Sequence, residues 1–125
     1  NNKTQDVLMG CYGIWISRLM GVIAEYFMTE KGIAWPEVIA PADYYIIVMG
    51  EENLEKATEL AEKLESKWKT VILDDRMGKK IGFGQKAADA ELFGIVNRIV
   101  ISPKTLEQWG FEFTKRGEES EIINF

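Results

Sequence analysis

The chain has 125 residues, a formal net charge of −5 and 46% hydrophobic residues, which suits a compact domain and excludes a disordered or collagen-like chain. It contains no histidine and one cysteine, which excludes a Ser-His-Asp triad, a Cys-His pair, the common zinc sites and an internal disulfide. The longest apolar run, over residues 7–16, is about half of a membrane span. We therefore expect a cytoplasmic protein without a membrane segment.

The N-terminal third of the chain predicts a strand and a helix. The apolar run over residues 7–16 predicts a strand. Its glycines indicate that a ligand or another part of the chain approaches the strand's backbone closely. Ser17 is a suitable N-cap, and apolar residues then recur at helical spacing as far as Phe27, with Gly32 as the expected terminator. Prolines at both ends of residues 36–41 predict an extended connection.

The rest of the chain predicts an α/β domain. Residues 44–49 form a continuous apolar run, typical of a strand buried on both faces. An amphipathic helix over residues 51–68 and a strand over residues 70–73 complete a right-handed β-α-β unit. The remaining expected elements are a helix over residues 87–93 closed by Gly94, a strand over residues 98–101, a helical turn over residues 104–109, an edge strand over residues 111–114 and a last strand at residues 122–123. We expect a mixed sheet of about five strands flanked by helices, preceded by the strand-helix segment.

Positive charge is concentrated in one part of the chain. Residues 76–104 contain six basic and two acidic side chains, a net +4, which leaves −9 for the remainder. A basic segment on an acidic body fits a protein that contacts a polyanion at one place, and the alternative is a solvated face with chance clustering. The acidic total argues against DNA as a partner.

Four stretches of the chain form a pattern in their order and spacing. They are Met9-Gly10-Cys11-Tyr12-Gly13-Ile14 with Ser17-Arg18, Trp35-Pro36 with Ile39-Ala40-Pro41, Leu73-Asp74-Asp75-Arg76, and Lys86 with Ala88-Asp89-Ala90-Glu91-Leu92-Phe93-Gly94-Ile95. Together they resemble the C-terminal part of a prolyl-tRNA synthetase, a class II aminoacyl-tRNA synthetase. The resemblance implies that residues 1–40 end a catalytic domain, with its motif 3 strand and helix, and that residues 41–125 form an anticodon-binding domain.

The resemblance also implies an activity, which is the ATP-dependent attachment of proline to its tRNA by the parent protein, with ATP and Mg²⁺ as cofactors. This part alone is expected to bind no cofactor and to be non-catalytic. Arg18 matches the motif 3 arginine that stacks on the adenine of ATP, since a guanidinium offers charge and a flat face. However, Trp15 stands where the family usually has glycine, and its indole would fill the space for the adenine.

The resemblance assigns the anticodon contacts to Glu91, Arg98 and Lys104. Every proline anticodon ends in two guanines. A carboxylate accepts from the N1–H and N2–H₂ edge of a guanine, whereas an arginine donates to its O6 and N7.

The basic residues Arg76, Lys79, Lys80 and Lys86 are interpreted as contacts to the RNA backbone, which position the RNA without specifying sequence. We expect no metal site, because adjacent acids such as Asp74-Asp75 more often act as caps or as partners of an arginine.

The predicted function is recognition of the proline tRNA anticodon loop. A homodimer is expected through the exposed apolar residues 7–27. Two alternatives remain open at this point. One is a protein-interaction or dimerisation module of the same fold that binds no RNA. The other is a small nucleotide-binding domain that uses the glycine-rich loop over residues 78–84, although that loop lacks a P-loop ending.

Overall fold

A computed structural model describes residues 4–78 and 81–125. The strands are β1 Tyr44–Val48, β2 Val71–Asp74, β3 Asn97–Ile101, β4 Gly110–Lys115 and β5 Glu121–Asn124. The helices are α1 Ile16–Tyr26, α2 Leu54–Glu65, α3 Phe83–Phe93 and the short α4 Pro103–Leu106. The strands form one five-stranded sheet in the order β2-β1-β3-β4-β5, which confirms the predicted α/β fold. No helix among the described residues is long and apolar enough to cross a bilayer.

The sheet is mixed, with β1 at the centre of its parallel part. Strand β1 pairs in parallel with both β2 and β3, so β1, α2 and β2 form the predicted β-α-β unit. Strand β4 pairs antiparallel with β3 and with β5. The prediction that β4 is an edge strand is wrong, because the short apolar segment at the end of the chain pairs with it and becomes the edge instead.

Both faces of β1 are buried, as its uninterrupted apolar sequence predicted. Ile46 and Val48 face α2, whereas Tyr45 and Ile47 face α3, and each is at most 2% exposed. The apolar face of α2 meets the first pair through Ala57 and its neighbours. The core therefore consists of two layers, one on each side of the sheet.

Helix α3 begins at Phe83 rather than at residue 87, because the glycines around its start were taken for a loop. Its N-cap is Gly82, and it ends at Gly94, whose φ of 68° is left-handed. Glycine adopts this conformation without a steric penalty, and Gly94 therefore closes the helix as predicted.

The strand predicted over residues 7–16 does not form, and residues 4–15 contain no helix or strand. A strand needs a neighbour for its backbone groups, and the strands of the sheet all lie within residues 44–124. Helix α1 begins at Ile16, with Trp15 rather than Ser17 at the N-cap. Beyond α1 the chain reverses at a bridge between Met28 and Ile33. We call residues 28–33 the hairpin; its turn contains Gly32, which does not terminate α1.

Lys86 is buried, which makes its predicted contact with RNA wrong. The residue is 1% exposed, and its Nζ donates to the carbonyl oxygens of Val48 at 2.7 Å and Asp74 at 3.0 Å. These residues end β1 and β2. Because α3 starts one turn earlier than predicted, Lys86 lies on the face that packs against the sheet. Its ammonium group satisfies carbonyls at the carboxyl ends of two strands.

The carboxylate of Asp74 completes this buried polar group. It lies 3.6 Å from Lys86 Nζ and accepts hydrogen bonds from the Tyr45 hydroxyl at 3.0 Å and from Arg76 Nε and Nη2 at 2.9 and 2.7 Å. Nη2 of Arg76 also donates to Asp89 at 2.6 Å. The interpretation of the Asp74-Asp75 pair as partners of an arginine is thus confirmed for Asp74. With two carboxylates around it, Arg76 offers little net charge to a phosphate.

These contacts lower the pKa of Asp74 and raise the pKa values of Tyr45 and Arg76. Burial alone would raise the pKa of Asp74, but the hydrogen bonds from Arg76 and Tyr45 and the charge of Lys86 lower it to about 2. Burial, together with the bond to the Asp74 carboxylate, raises the pKa of Tyr45 to about 12. The folded state therefore favours an ionised Asp74 and a neutral Tyr45.

We predict that Asp74→Asn lowers the free energy of unfolding at pH 7 by about 3 kcal/mol, because it leaves a buried cation without its counter-charge. The pKa of Asp74 is lower in the folded chain than in the unfolded chain. Its contribution is therefore complete above about pH 4, and about 2 kcal/mol of it is lost as the pH falls towards 2. The difference between wild type and variant should shrink in that window. Urea unfolding followed by tryptophan fluorescence measures it.

The neighbouring exposed carboxylate provides the control. Asp75→Asn should change the free energy of unfolding by no more than about 0.5 kcal/mol. Equal losses in the two variants would contradict the assignment of the buried network to Asp74.

Candidate nucleic-acid site

A cavity of about 300 Å³ opens where the end of α3, the start of β3, the β4–β5 turn and the hairpin meet. We call it the basic cavity. Its charged lining residues are Lys31, Glu91, Arg98, Lys115 and Arg116. Four positive charges and one negative charge give it a net charge of +3, on a chain whose overall charge is −5. The cavity is therefore a local attractor for an anion.

Arg98 lies on the floor of the basic cavity. It is the second residue of β3, and the strand register places it between Tyr45 of β1 and Thr114 of β4. Its Nε is buried and has no hydrogen-bond partner among the residues that the structure describes. Leaving such a donor unpaired costs about 1–3 kcal/mol. The residue as a whole is half-buried and lines the cavity, so the guanidinium can donate to a ligand there.

Glu91 lies on the wall of the same cavity, in the last turn of α3. Its carboxylate is half-exposed and lies 3.5 Å from Nζ of Lys31, which belongs to the hairpin. Because both partners reach solvent, this ion pair contributes only about 0–1 kcal/mol and does not prevent the carboxylate from binding a ligand. The structure thus places Glu91 and Arg98, two of the three residues that the resemblance assigned to the anticodon, in one cavity.

Lys104 is not part of the basic cavity. It lies in α4, beyond the carboxyl end of β3, whereas Arg98 lies near the amino end of that strand. At about 3.3 Å per residue, the length of β3 separates them by more than 10 Å. A role for Lys104 in anticodon contact stays a prediction. Lys79 and Lys80 lie outside the described residues.

Arg18 lies in α1, and its guanidinium is 5.2 Å from the ring centroid of Trp15. The flat face expected to meet an adenine therefore stacks on an indole in this chain. Arg18 is also the only basic residue in positions 4–27, and one arginine does not hold a triphosphate. Within residues 4–78 and 81–125, no acidic or thiol side chains are grouped closely enough to hold a metal ion.

The sequence did not identify three of the cavity's cations, Lys31, Lys115 and Arg116. They lie outside residues 76–104, where the basic residues are concentrated in sequence, and they reach the cavity only through the fold. Lys115 and Arg116 could have been identified from the pairing of β3 with β4. This pairing sets Asn97 opposite Lys115 and brings the basic end of β4 beside Arg98.

Comparison with known proteins places this geometry in a family context. Residues 43–122 match the family model described as an anticodon binding domain. The proline–tRNA ligase of Bifidobacterium adolescentis is 43% identical over 98% of this chain and 20% of its own length. That of a Sulfurihydrogenibium species is 38% identical over 99% of this chain and 22% of its own length. The chain thus spans about a fifth of these relatives.

A solved structure supports the fold. The crystal structure of prolyl-tRNA synthetase from Cryptosporidium parvum, complexed with L-proline and AMP, superposes with a TM-score of 0.74. The superposition covers 86% of this chain and 23% of that chain, at 24% identity. The resemblance inferred from the four sequence stretches is confirmed. Since the matched residues 43–122 make up well over half of the sequence, the chain belongs to the anticodon binding domain family.

Proposed function

We propose that this chain recognises the anticodon loop of a proline tRNA through the basic cavity. The observation that carries the proposal is that Arg98 and Glu91 line one cavity of net charge +3. Both residues lie within residues 43–122, which match the anticodon binding domain family.

The two side chains match the two edges of an unstacked guanine. The Glu91 carboxylate accepts hydrogen bonds from N1–H and N2–H₂, and the Arg98 guanidinium donates to O6 or N7. Guanine and adenine differ at these positions, because adenine has no N1–H and carries a donor where guanine has O6. Lys115 and Arg116 line the rim, where they attract phosphate without distinguishing bases. Specificity and attraction therefore come from different residues of one cavity.

We predict that Arg98→Ala weakens binding of a proline anticodon stem-loop by about 1–3 kcal/mol. A loop with adenines in place of the two guanines should lose much less. Arg98→Lys keeps the charge but not the planar donors, so it should restore salt-dependent attraction without restoring the preference for guanine. Fluorescence anisotropy with both loops at several salt concentrations measures these effects.

Lys63→Ala serves as the matched control, because Lys63 is exposed on α2, across the sheet from the cavity. Its removal should leave the ratio of the two affinities unchanged. Equal losses for both loops in Arg98→Ala would reject direct recognition of guanine. A wild-type chain that binds neither loop would support the alternative of a protein-interaction module.

For the whole protein we propose proline–tRNA ligase activity, with ATP and Mg²⁺ bound by parts beyond those described here, and a cytoplasmic location. Relatives that carry this name match nearly the full length of the chain at 38–43% identity. The chain alone is proposed to be non-catalytic, since Arg18 has no other phosphate-binding residue near it in sequence. Its contribution to the reaction is to hold the correct tRNA.

We further propose that the isolated chain forms a homodimer through residues 7–27. Nine large apolar side chains there are each more than 60% exposed: Val7, Leu8, Met9, Tyr12, Ile14, Trp15, Ile16, Met20 and Tyr26. The three aromatic residues alone can bury about 150–250 Å² each, and the aliphatic ones bring the total near the 800 Å² or so per partner of a stable interface. A second copy presents the same surface, as a two-fold contact requires.

We predict that the double substitution Leu8→Lys with Ile14→Lys converts the dimer into a monomer, because both lysines would lose hydration in the contact. Sedimentation velocity at micromolar concentration measures this. Val38→Lys, at a side chain that is 95% exposed outside this surface, is the control and should leave the dimer intact. A wild-type chain that sediments as a monomer would show that the apolar surface does not pair with itself.

A further inference from the structure

The hairpin is held against the end of α3 at a distance that only glycine permits. A β-carbon at Gly32 would lie 2.6 Å from the carbonyl oxygen of Glu91 and 2.8 Å from Cα of Leu92. A β-carbon at Gly94 would overlap the carbonyl oxygen of Ile33. Two glycines, one on each side, therefore let the two backbones touch. This contact lies directly behind the residue proposed to bind guanine.

Three further contacts fix the hairpin in this place. Its turn is closed by hydrogen bonds from the backbone N–H and the hydroxyl of Thr29 to the carbonyl of Gly32, both at 2.7 Å. Lys31 reaches across to Glu91. Where the chain leaves the hairpin, the carbonyl of Trp35 accepts a 2.6 Å hydrogen bond from Arg116 Nη2 on the rim of the basic cavity. The hairpin and the two residues that follow it are thus joined to both sides of the cavity.

The hairpin also precedes the residues that match the family model, which begin at residue 43. The sequence assigned it to a different domain from Glu91 and Arg98. In the structure it nevertheless lines the cavity through Thr29, Lys31 and Ile33. The cavity is therefore composite, with its floor and one wall from the matched domain and its other wall from the preceding segment.

We propose that the hairpin is a positioning element of the RNA site, which holds the last turn of α3 so that the Glu91 carboxylate faces Arg98 across the cavity. This inference rests on the proposed function. Without the hairpin, the end of α3 would lose the backbone contact at Gly32 and Gly94, and last turns of helices fray when nothing packs against them. Glu91 would then sample many positions, and the preference for guanine would fall more than the general attraction for RNA.

The test compares two glycines with nearly the same φ. Gly32 has a φ of 153° and Gly78 a φ of 154°, but a β-carbon at Gly78 would meet no atom within 4 Å among the residues that the structure describes. Gly32→Ala and Gly78→Ala therefore place alanine at the same unfavourable φ, and only the first disturbs the contact with α3. Both variants of the full chain are measured for binding to stem-loops that carry guanines or adenines at the last two anticodon positions.

We expect Gly32→Ala to reduce the ratio of guanine-loop to adenine-loop affinity by about fivefold or more, the equivalent of one lost base contact. Gly78→Ala should leave the ratio unchanged. If the wild type prefers guanine and Gly32→Ala keeps that preference, the inference is wrong and the proposed function stands. If the wild type shows no preference, the proposed function fails and the inference fails with it.

A second measurement uses the unaltered chain and does not depend on whether Gly32→Ala folds. Hydrogen exchange is followed at the Thr29 and Ala34 amides, which donate within and beside the hairpin, and at the Asn53 amide, which donates to Gly50 at the far end of β1. The guanine loop should slow exchange at the first two by more than at Asn53. Equal slowing at all three would show that the hairpin is not part of the site.

Discussion

The buried ammonium group of Lys86 is the contact on which the arrangement of this domain depends. Parallel strands end with carbonyl groups that have no further partner in the sheet, and in β1 and β2 two of these carbonyls are inside the protein. Lys86 donates to both and lies beside the Asp74 carboxylate. A buried charge is tolerated only when it is paired and fully hydrogen-bonded. The position of α3 over the sheet is therefore set by Lys86, whose ammonium group must stay within reach of these two carbonyls and of the Asp74 carboxylate.

Helix α3 is consequently held at both of its ends by different means. At its first turns, Lys86 and the Asp89–Arg76 pair attach it to the carboxyl ends of the strands. At its last turn, backbone packing between Gly94 and the hairpin fixes it from the other side. Glu91 lies between these anchors and beside a cavity whose floor carries Arg98. The charged network fixes the first turns of α3 against the sheet, and the glycine contact fixes the position of its last turn.

The sequence was sufficient for the sheet and for the pair of residues in the cavity, since both depend on patterns that are local or carried by a family resemblance. Uninterrupted apolar residues in β1 predicted a strand buried on both faces. Glu91 and Arg98 are seven residues apart and stay close in the fold, because only a helix end and a short loop connect them. The burial of Lys86 could not be predicted, because glycines at positions 82 and 84 concealed the first turn of α3 and with it the face on which Lys86 lies.

The errors at the N-terminus have a different cause. Residues 7–16 have the composition of a strand, but a strand exists only with a hydrogen-bonding neighbour, and composition does not reveal whether one is present. The contribution of Lys31, Lys115 and Arg116 to the cavity was equally hidden. Each lies far from Arg98 in sequence, and only the strand register and the docking of the hairpin bring them together. Contacts between residues far apart in sequence decide both whether residues 7–16 form a strand and which cations reach the cavity. Local sequence patterns do not reveal such contacts.

The two shifted acids beneath α3, Asp74 and Tyr45, also determine how this part of the fold responds to pH. The pKa of Asp74 is about 2 and that of Tyr45 about 12, and the chain contains no histidine. Between these limits neither of the two shifted groups changes its charge. The hydrogen bond that Tyr45 donates to Asp74, which joins β1 to β2 beneath α3, is therefore kept over this whole range of pH.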